Sequence, residues 1–162
     1  GGVGSFAVQI AKILGAEVTA VCSTRNVEMV RSLGADHVVD YTQDDFTKGD
    51  ARYDLILDNV ANRSFSNLRA VLKPHGQIIP NSGHGGMGYV IKAMLMSPFT
   101  AQIGNMYLAS SNTEDLIVLK DLIEAGKVTP IIDKTYALDE TPAAFRCLEE
   151  EHARGKIVIR VL

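Results

Sequence analysis

Cysteine is scarce in this chain. Cys22 and Cys147 are the whole complement, too few and too far apart for a disulfide framework or a cysteine-rich zinc site. Such usage fits a reducing compartment, read here as the cytoplasm. There is no basic block either: sixteen Lys and Arg stand against nineteen Asp and Glu, for a net charge of −3. Nucleic acid is therefore not expected as a partner. Long apolar runs are missing. A stretch such as 89–96 is short and broken by Lys92, so no membrane partner is expected, and no signal peptide is visible. His37, His75, His84 and His152 show no metal-ligand spacing, and neither HExxH nor G-x-S-x-G occurs. No metal site and no hydrolase nucleophile are expected. An initiating methionine is lacking too: the chain opens Gly-Gly-Val-Gly, which reads as a piece of a longer protein.

What is present is a core-forming, alternating pattern. Hydrophobic residues make up 46% of the 162 positions, enough to bury a core. Apolar positions Phe6, Ala7, Ile10, Ala11, Ile13 and Leu14 predict a helix over 5–14, ended by Gly15. A strand is predicted over 17–22, a helix capped by Thr24 and running through Leu33, and strands over 37–41 and 53–58. The 53–58 strand is apolar enough to be covered on both faces. A helix follows over 64–72, closed by Pro74 and Gly76, then a strand over 77–80, a glycine-rich segment over 81–88 and a helix over 89–96. After these come a strand over 103–108 and a helix over 113–124 with Leu116, Ile117, Leu119, Leu122 and Ile123 inward. This β-α alternation predicts an α/β fold, a doubly wound parallel sheet. The tail reads as a β-α-β unit: strand 131–137, a helix from Pro142 with Thr141 ahead of it, and strand 156–161.

The opening glycines carry the first chemical signal. Gly1 and Gly4 have the spacing of the second and third glycines of G-x-G-x-x-G, whose first position and preceding strand lie upstream of residue 1. In that reading Gly1 lets the backbone approach a pyrophosphate and Gly4 lets the helix pack on the sheet. Amides of Gly2, Val3 and Gly4 then open a helix where an anion is stabilised. A tight structural turn is the competing reading.

Where a carboxylate would accept from the ribose of NAD, this chain has Cys22, Ser23, Thr24 and Arg25. Hydroxyls and a guanidinium suit a 2′-phosphate, so NADPH is favoured over NAD. Helix capping by Ser23 and Thr24 and a solvated Arg25 are compatible alternatives. The other strand ends offer Tyr41 on the adenosine side, Asn59 and Val60 along the ribose and nicotinamide, and Ser82 with Gly83 at the nicotinamide end. A rim tyrosine and plain loop residues are the other readings. Asp58, at the end of an apolar strand, is read as holding loop amides, and Cys147 as a small core residue.

Taken together, residues 1–41, the YDLILDNV and LKPHGQII segments and the closing RGKIVIRV resemble the medium-chain dehydrogenase/reductase superfamily, and within it the zinc-independent quinone oxidoreductase-like branch. Leu33-Gly34-Ala35-Asp36 and Gly155-Lys156 add specificity to the glycine turn. The resemblance spans the whole chain and implies a Rossmann-type domain over 1–130, truncated before its first strand. Residues 131–162 form a β-α-β extension expected to pack with a GroES-like catalytic domain ahead of Gly1. It implies NADPH-dependent reduction of quinones or activated alkenes, a homodimer formed through edge strands near 103–108, and a basic residue, Lys156, near the cofactor phosphates. No residue of this chain is a convincing catalytic acid, and the piece by itself is expected to lack turnover. A zinc alcohol dehydrogenase, with its ligands upstream, and a non-catalytic cofactor-binding protein are the alternative functions.

Overall fold

The structure, a computed structural model, describes residues 1–81, 112–150 and 153–161. In chain order the elements are α1 (Gly4–Ile13), β1 (Thr19–Cys22), a 3-10 turn (Thr24–Asn26), α2 (Val27–Ser32), β2 (His37–Asp40), β3 (Tyr53–Asp58), α3 (Phe65–Ala70) and β4 (Leu72–Pro80). Then come α4 (Thr113–Glu124), β5 (Ile132–Ala137), a second 3-10 turn (Leu138–Glu140), α5 (Thr141–Glu150) and β6 (Lys156–Arg160). Among the described residues the strands form three two-stranded sheets, β1–β2, β3–β4 and β5–β6, all parallel. The parallel α/β class is as the alternation predicts. The predicted helix over 89–96 and strand over 103–108 lie outside the described residues, as does the glycine-rich segment beyond Asn81.

Two compact units divide the chain: residues 1–44 with 111–162, and residues 45–110. In the first, α1, α2 and α4 each stop at a glycine with positive φ, Gly15 at 82°, Gly34 at 96° and Gly126 at 68°, the left-handed conformation that a side chain resists. Strands β1 and β2 run in register from Thr19 beside His37 to Cys22 beside Asp40. Asp36 ties this layer together. Its carboxylate accepts from Lys12 Nζ at 2.7 and 2.9 Å and from the Val18 amide at 2.7 Å, while Lys12 also donates to the Ala16 carbonyl. That knot explains the Leu-Gly-Ala-Asp signature: the glycine turns the chain and the aspartate fastens the end of α1 to the start of both strands.

The segment between α4 and β5 is fastened to α1 by Gln9, a buried polar residue. Its amide nitrogen donates to the carbonyls of Ser5 and Thr129, and its oxygen accepts from the Thr129 amide at 2.7 Å. A buried amide so fully paired costs little. In α5, Ala144 and Cys147 are buried three residues apart on one face, so Cys147 is the core residue its sequence context suggests.

In the second unit, Phe65, Leu68, Leu72 and Ile78 form the core, with Phe46, Tyr53 and Ile56 packed on it. Ser64 caps α3 by accepting from the Asn67 amide. Since neighbouring strand residues face opposite ways, Ile56 meets this core while Leu55 and Leu57 stay exposed, at 53% and 41%. Among the described residues the expected two-sided cover of β3 is therefore not found.

Other departures have physical causes. Thr24 does not cap a helix. The chain first makes a 3-10 turn, and the Thr24 hydroxyl meets that of Thr42 at 3.0 Å. Pro74 and Gly76 do not close a helix but lie inside β4, where the register jumps between Tyr53–Leu72 and Leu55–Gln77. This irregularity absorbs the proline, and Gly76 is needed because a Cβ there would sit 2.6 Å from the Tyr53 carbonyl. On α4, Leu119, Leu122 and Ile123 are partly buried, but Leu116 and Ile117 are exposed. The sequence-based inward face is wider than the surface that covers it. β1 starts at Thr19 rather than at residue 17. The 3-10 turn ahead of α5 is held by the Glu140 carboxylate, which accepts from the Ala137 amide, and Thr141 donates back to the Leu138 carbonyl instead of capping.

Candidate functional site: the opening of α1

The first turn of α1 begins without a side-chain cap: Val3 is the N-cap and makes no such bond. The Gly1 carbonyl accepts from the Ser5 amide and the Val3 carbonyl from Phe6 and Ala7. The amides of Gly2 and Val3 find no acceptor among the described residues. A helix start with open donors is an anion site in waiting. What strengthens it here is a cation. The Lys156 ammonium, from the first residue of β6, lies 3.2 Å from where a Gly2 Cβ would stand and 5.4 Å from the Phe6 ring centre. Lys156 is held there by its backbone: its amide donates to the Ile131 carbonyl at 2.7 Å, and Gly155 must be glycine because a Cβ would fall on that same carbonyl.

The end of β1 stands level with the end of β2, Cys22 beside Asp40. Burial pushes the Cys22 thiol up, and Asp40 adds to this while Arg31 opposes it. A thiol so raised is a poor nucleophile. The Ser23 hydroxyl and the Asn26 side-chain amide are joined at 3.1 Å. Tyr41 hangs its amide on the Cys22 carbonyl and leaves its side chain exposed.

The strand end at Asp40 and Tyr41 is where the sequence places part of the site, but it gives Asp40 no role. Asp40, level with Cys22 in the sheet register, brings a carboxylate beside Thr24. A hydrogen bond from the Thr24 hydroxyl is the largest influence holding its pKa below the usual carboxylate range. Its oxygens also accept from the Thr42 amide and hydroxyl and from Gln43. This carboxylate is committed to shaping the loop. The signal for it was the strand pairing, which brings residues 22 and 40 together although they are distant in sequence.

The remaining predicted residues fall elsewhere. Asn59 and Val60 belong to the second unit. Asp58 accepts there from the Val60 and Ala61 amides, holding loop amides as expected, with Ala61 at φ 56°. Asn59 accepts from the Asn81 side chain at 2.7 Å. Ser82 lies outside the described residues. The packing role expected of Gly4 is not seen among the described residues, where a Cβ would meet nothing within 4 Å. The surface that role requires was placed upstream of residue 1. Among the described residues no group of three or more His, Cys, Asp or Glu is arranged to hold a metal, and no helix is long and apolar enough to cross a membrane.

A parallel α/β layer with open helix-start amides, a lysine over them and an arginine at the next strand end defines a nucleotide-binding class of fold. Comparison with known proteins agrees. The family model described as zinc-binding dehydrogenase matches residues 33–159, and the chain belongs to that family, within the medium-chain dehydrogenase/reductase superfamily. It is 32% identical to the mouse mitochondrial NAD(P)H oxidoreductase RTN4IP1, matching over 100% of this chain and 46% of the relative. It is 33% identical to the chloroplastic NADPH-dependent alkenal/one oxidoreductase of Arabidopsis thaliana, over 98% of this chain and 38% of the relative. The solved quinone oxidoreductase from Coxiella burnetii superposes with a TM-score of 0.80 at 27% identity, over 99% of this chain and 50% of that one. The chain thus spans half or less of the length of these relatives.

Proposed function

We propose that this chain is the cofactor-binding half of an NADPH-dependent oxidoreductase that delivers hydride to a quinone or an activated alkene. The carrying observation is the Lys156 ammonium against the open amides of Gly2 and Val3. A diphosphate bridging two nucleosides has the charge and the acceptors that this corner lacks. Gly1 to Gly4 and Lys156 would hold that bridge. Ser23 and Arg25 would face the 2′-phosphate and Tyr41 the adenosine side. Asn59, Val60 and Ser82 would line the ribose and nicotinamide. The cofactor supplies the hydride, and the residues here bind and orient it. The names of the relatives support the nicotinamide cofactor and both acceptor classes.

In this reading the acceptor pocket and the proton donor belong to a catalytic domain ahead of Gly1, against which residues 131–162 pack, and the chain alone has no turnover. We also assign a homodimer. Neither cysteine is in a disulfide, which supports a reducing compartment, the cytoplasm in our reading; the mitochondrial and chloroplastic relatives make cell fractionation the test. The functional test is reduction of a quinone and an enone by the full-length protein with NADPH and with NADH, alongside Arg25→Ala. Loss of NADPH preference in the variant is expected. An unchanged ratio removes Arg25 from the phosphate site, and no turnover with either acceptor class rejects the function. Metal analysis of the same protein tests the zinc-dependent alcohol dehydrogenase reading, which the family's description keeps in view.

A further inference from the structure

We propose that Gln9 is a positioning residue for dinucleotide binding: its side-chain amide, buried behind the site, sets where the Lys156 ammonium stands relative to the open amides of α1. The proposal rests on the diphosphate reading above and concerns a residue outside the glycine motif.

The amides and the cation come from opposite ends of the chain. Gly2 and Val3 open α1, whereas Lys156 opens β6. The Lys156 backbone is carried by Ile131, whose carbonyl accepts from the Lys156 amide at 2.7 Å and packs against Gly155. What holds Ile131 therefore holds the ammonium. Two residues earlier stands Thr129, and Gln9 takes both of its backbone polar groups. Gln9 Oε1 accepts from the Thr129 amide at 2.7 Å, and Nε2 donates to the Thr129 carbonyl at 3.1 Å. Nε2 also donates to the Ser5 carbonyl at 2.9 Å, in the first turn of α1 and one residue past Gly4. Between Thr129 and Ile131 is Pro130, whose ring locks its own φ and keeps the residue before it extended. The path from the first turn of α1 to Lys156 is thus one side-chain amide, one proline and one backbone hydrogen bond, with few free torsions.

The chemistry of the contact suits positioning better than simple packing. Val128, next to Thr129, is also buried, but apolar burial is non-directional and sets no register. Two hydrogen bonds from one planar amide to the N–H and C=O of a single residue fix its orientation as well as its distance. Among the described residues Gln9 makes the side-chain hydrogen bonds that join α1 to the segment between α4 and β5. Those of Lys12, nearer the other end of the helix, go to Ala16 and Asp36. Loss of the Gln9 amide would free Thr129 to shift, and Ile131, Gly155 and Lys156 would shift with it while the amides of Gly2 and Val3 stay at the helix start.

The test is a double-mutant cycle in the full-length protein: Gln9→Met, Lys156→Met and the pair, with NADPH affinity from nicotinamide fluorescence at fixed ionic strength and Tm measured on each. Methionine keeps the length of the side chain and removes all three hydrogen bonds. Gln9→Met is expected to weaken NADPH about three- to tenfold when Lys156 is present and by less than about twofold when it is methionine. Tm should fall by the same amount in both backgrounds. Equal weakening in both backgrounds would make Gln9 a structural residue and overturn the proposal, as would a lowered Tm with unchanged affinity. If Gln9→Met does not fold, Pro130→Gly, which frees the link and leaves the Gln9 side chain in place, decides by the same comparison. Lys156→Met without effect on NADPH would instead reject the underlying diphosphate reading. A loss in Lys156→Met that Gln9→Met simply adds to would reject Gln9 alone.

Discussion

Replacing Lys156 by methionine removes one charge and keeps most of the side chain's bulk. The Lys156 ammonium is 3.2 Å from the Gly2 Cβ position, beside the open amides. Two unit charges about 4 Å apart are worth about 1 kcal/mol in bulk water and about 4 kcal/mol at a protein surface. Lys156 is exposed, and salt screens it further, so the lower part of that range applies. A loss of about 1–2 kcal/mol raises Kd about five- to thirtyfold. The expected effect is equal for NADPH and NADH, because both carry the bridge. The assay is quenching or enhancement of nicotinamide fluorescence at fixed ionic strength, repeated at higher salt, where the difference from wild type shrinks. Unchanged affinity for both cofactors, or a loss confined to NADPH, would refute the placement of Lys156 on the diphosphate.

Other consequences concern the scaffold. Leu68 is 1% exposed, and Leu68→Ala should cost about 2–5 kcal/mol in denaturant unfolding; a loss under about 1 kcal/mol would mean that this cluster is not a packed core. Gly155→Ala forces a Cβ into the Ile131 carbonyl, so Tm should fall and dinucleotide affinity should fall with it; a variant that loses neither would contradict the backbone pin on Lys156. Acid should unfold the protein through its paired carboxylates. Asp36, Asp40 and Asp45 have native pKa values held below the usual range, chiefly by hydrogen bonds from Lys12, Thr24 and Thr47. Groups depressed in the native state contribute stability that is present above the unfolded-state pKa, about 4, and lost as pH falls through the native values. Tm should therefore hold from pH 7 to 5 and drop below about pH 4, with a shallower acid limb in Asp36→Asn. A Tm that does not change on acidification would contradict the assignment.

Much of this was legible because local rules and the fold agree. The three glycines that end α1, α2 and α4 stand where the apolar periodicity stops, and each takes positive φ. Strand Tyr53–Asp58 and helix Thr113–Glu124 have the bounds the pattern gives. Asp58 does the amide-holding its position at a strand end suggests. The failures come from contacts that local pattern does not carry. Pro74 and Gly76 look like helix breakers, yet the approach of the Tyr53 carbonyl makes them a strand irregularity. Thr24 looks like a cap, but Thr42 and Asp40 arrive from the neighbouring strand and take its hydroxyl. The candidate site divides in the same way. The amides of residues 1–4 follow from spacing alone, and Lys156 entered by family likeness. The contact of Asp40 with Thr24 became visible only once strand pairing brought distant segments together.

The central claim is that the opening of α1 and Lys156 receive a dinucleotide's diphosphate. A crystal structure of the full-length protein with NADPH tests it most directly. The account predicts bridging phosphate oxygens within hydrogen-bond distance of the Gly2 and Val3 amides and of Lys156 Nζ. Density that places the diphosphate on any other helix start, with Lys156 turned to solvent, would contradict it.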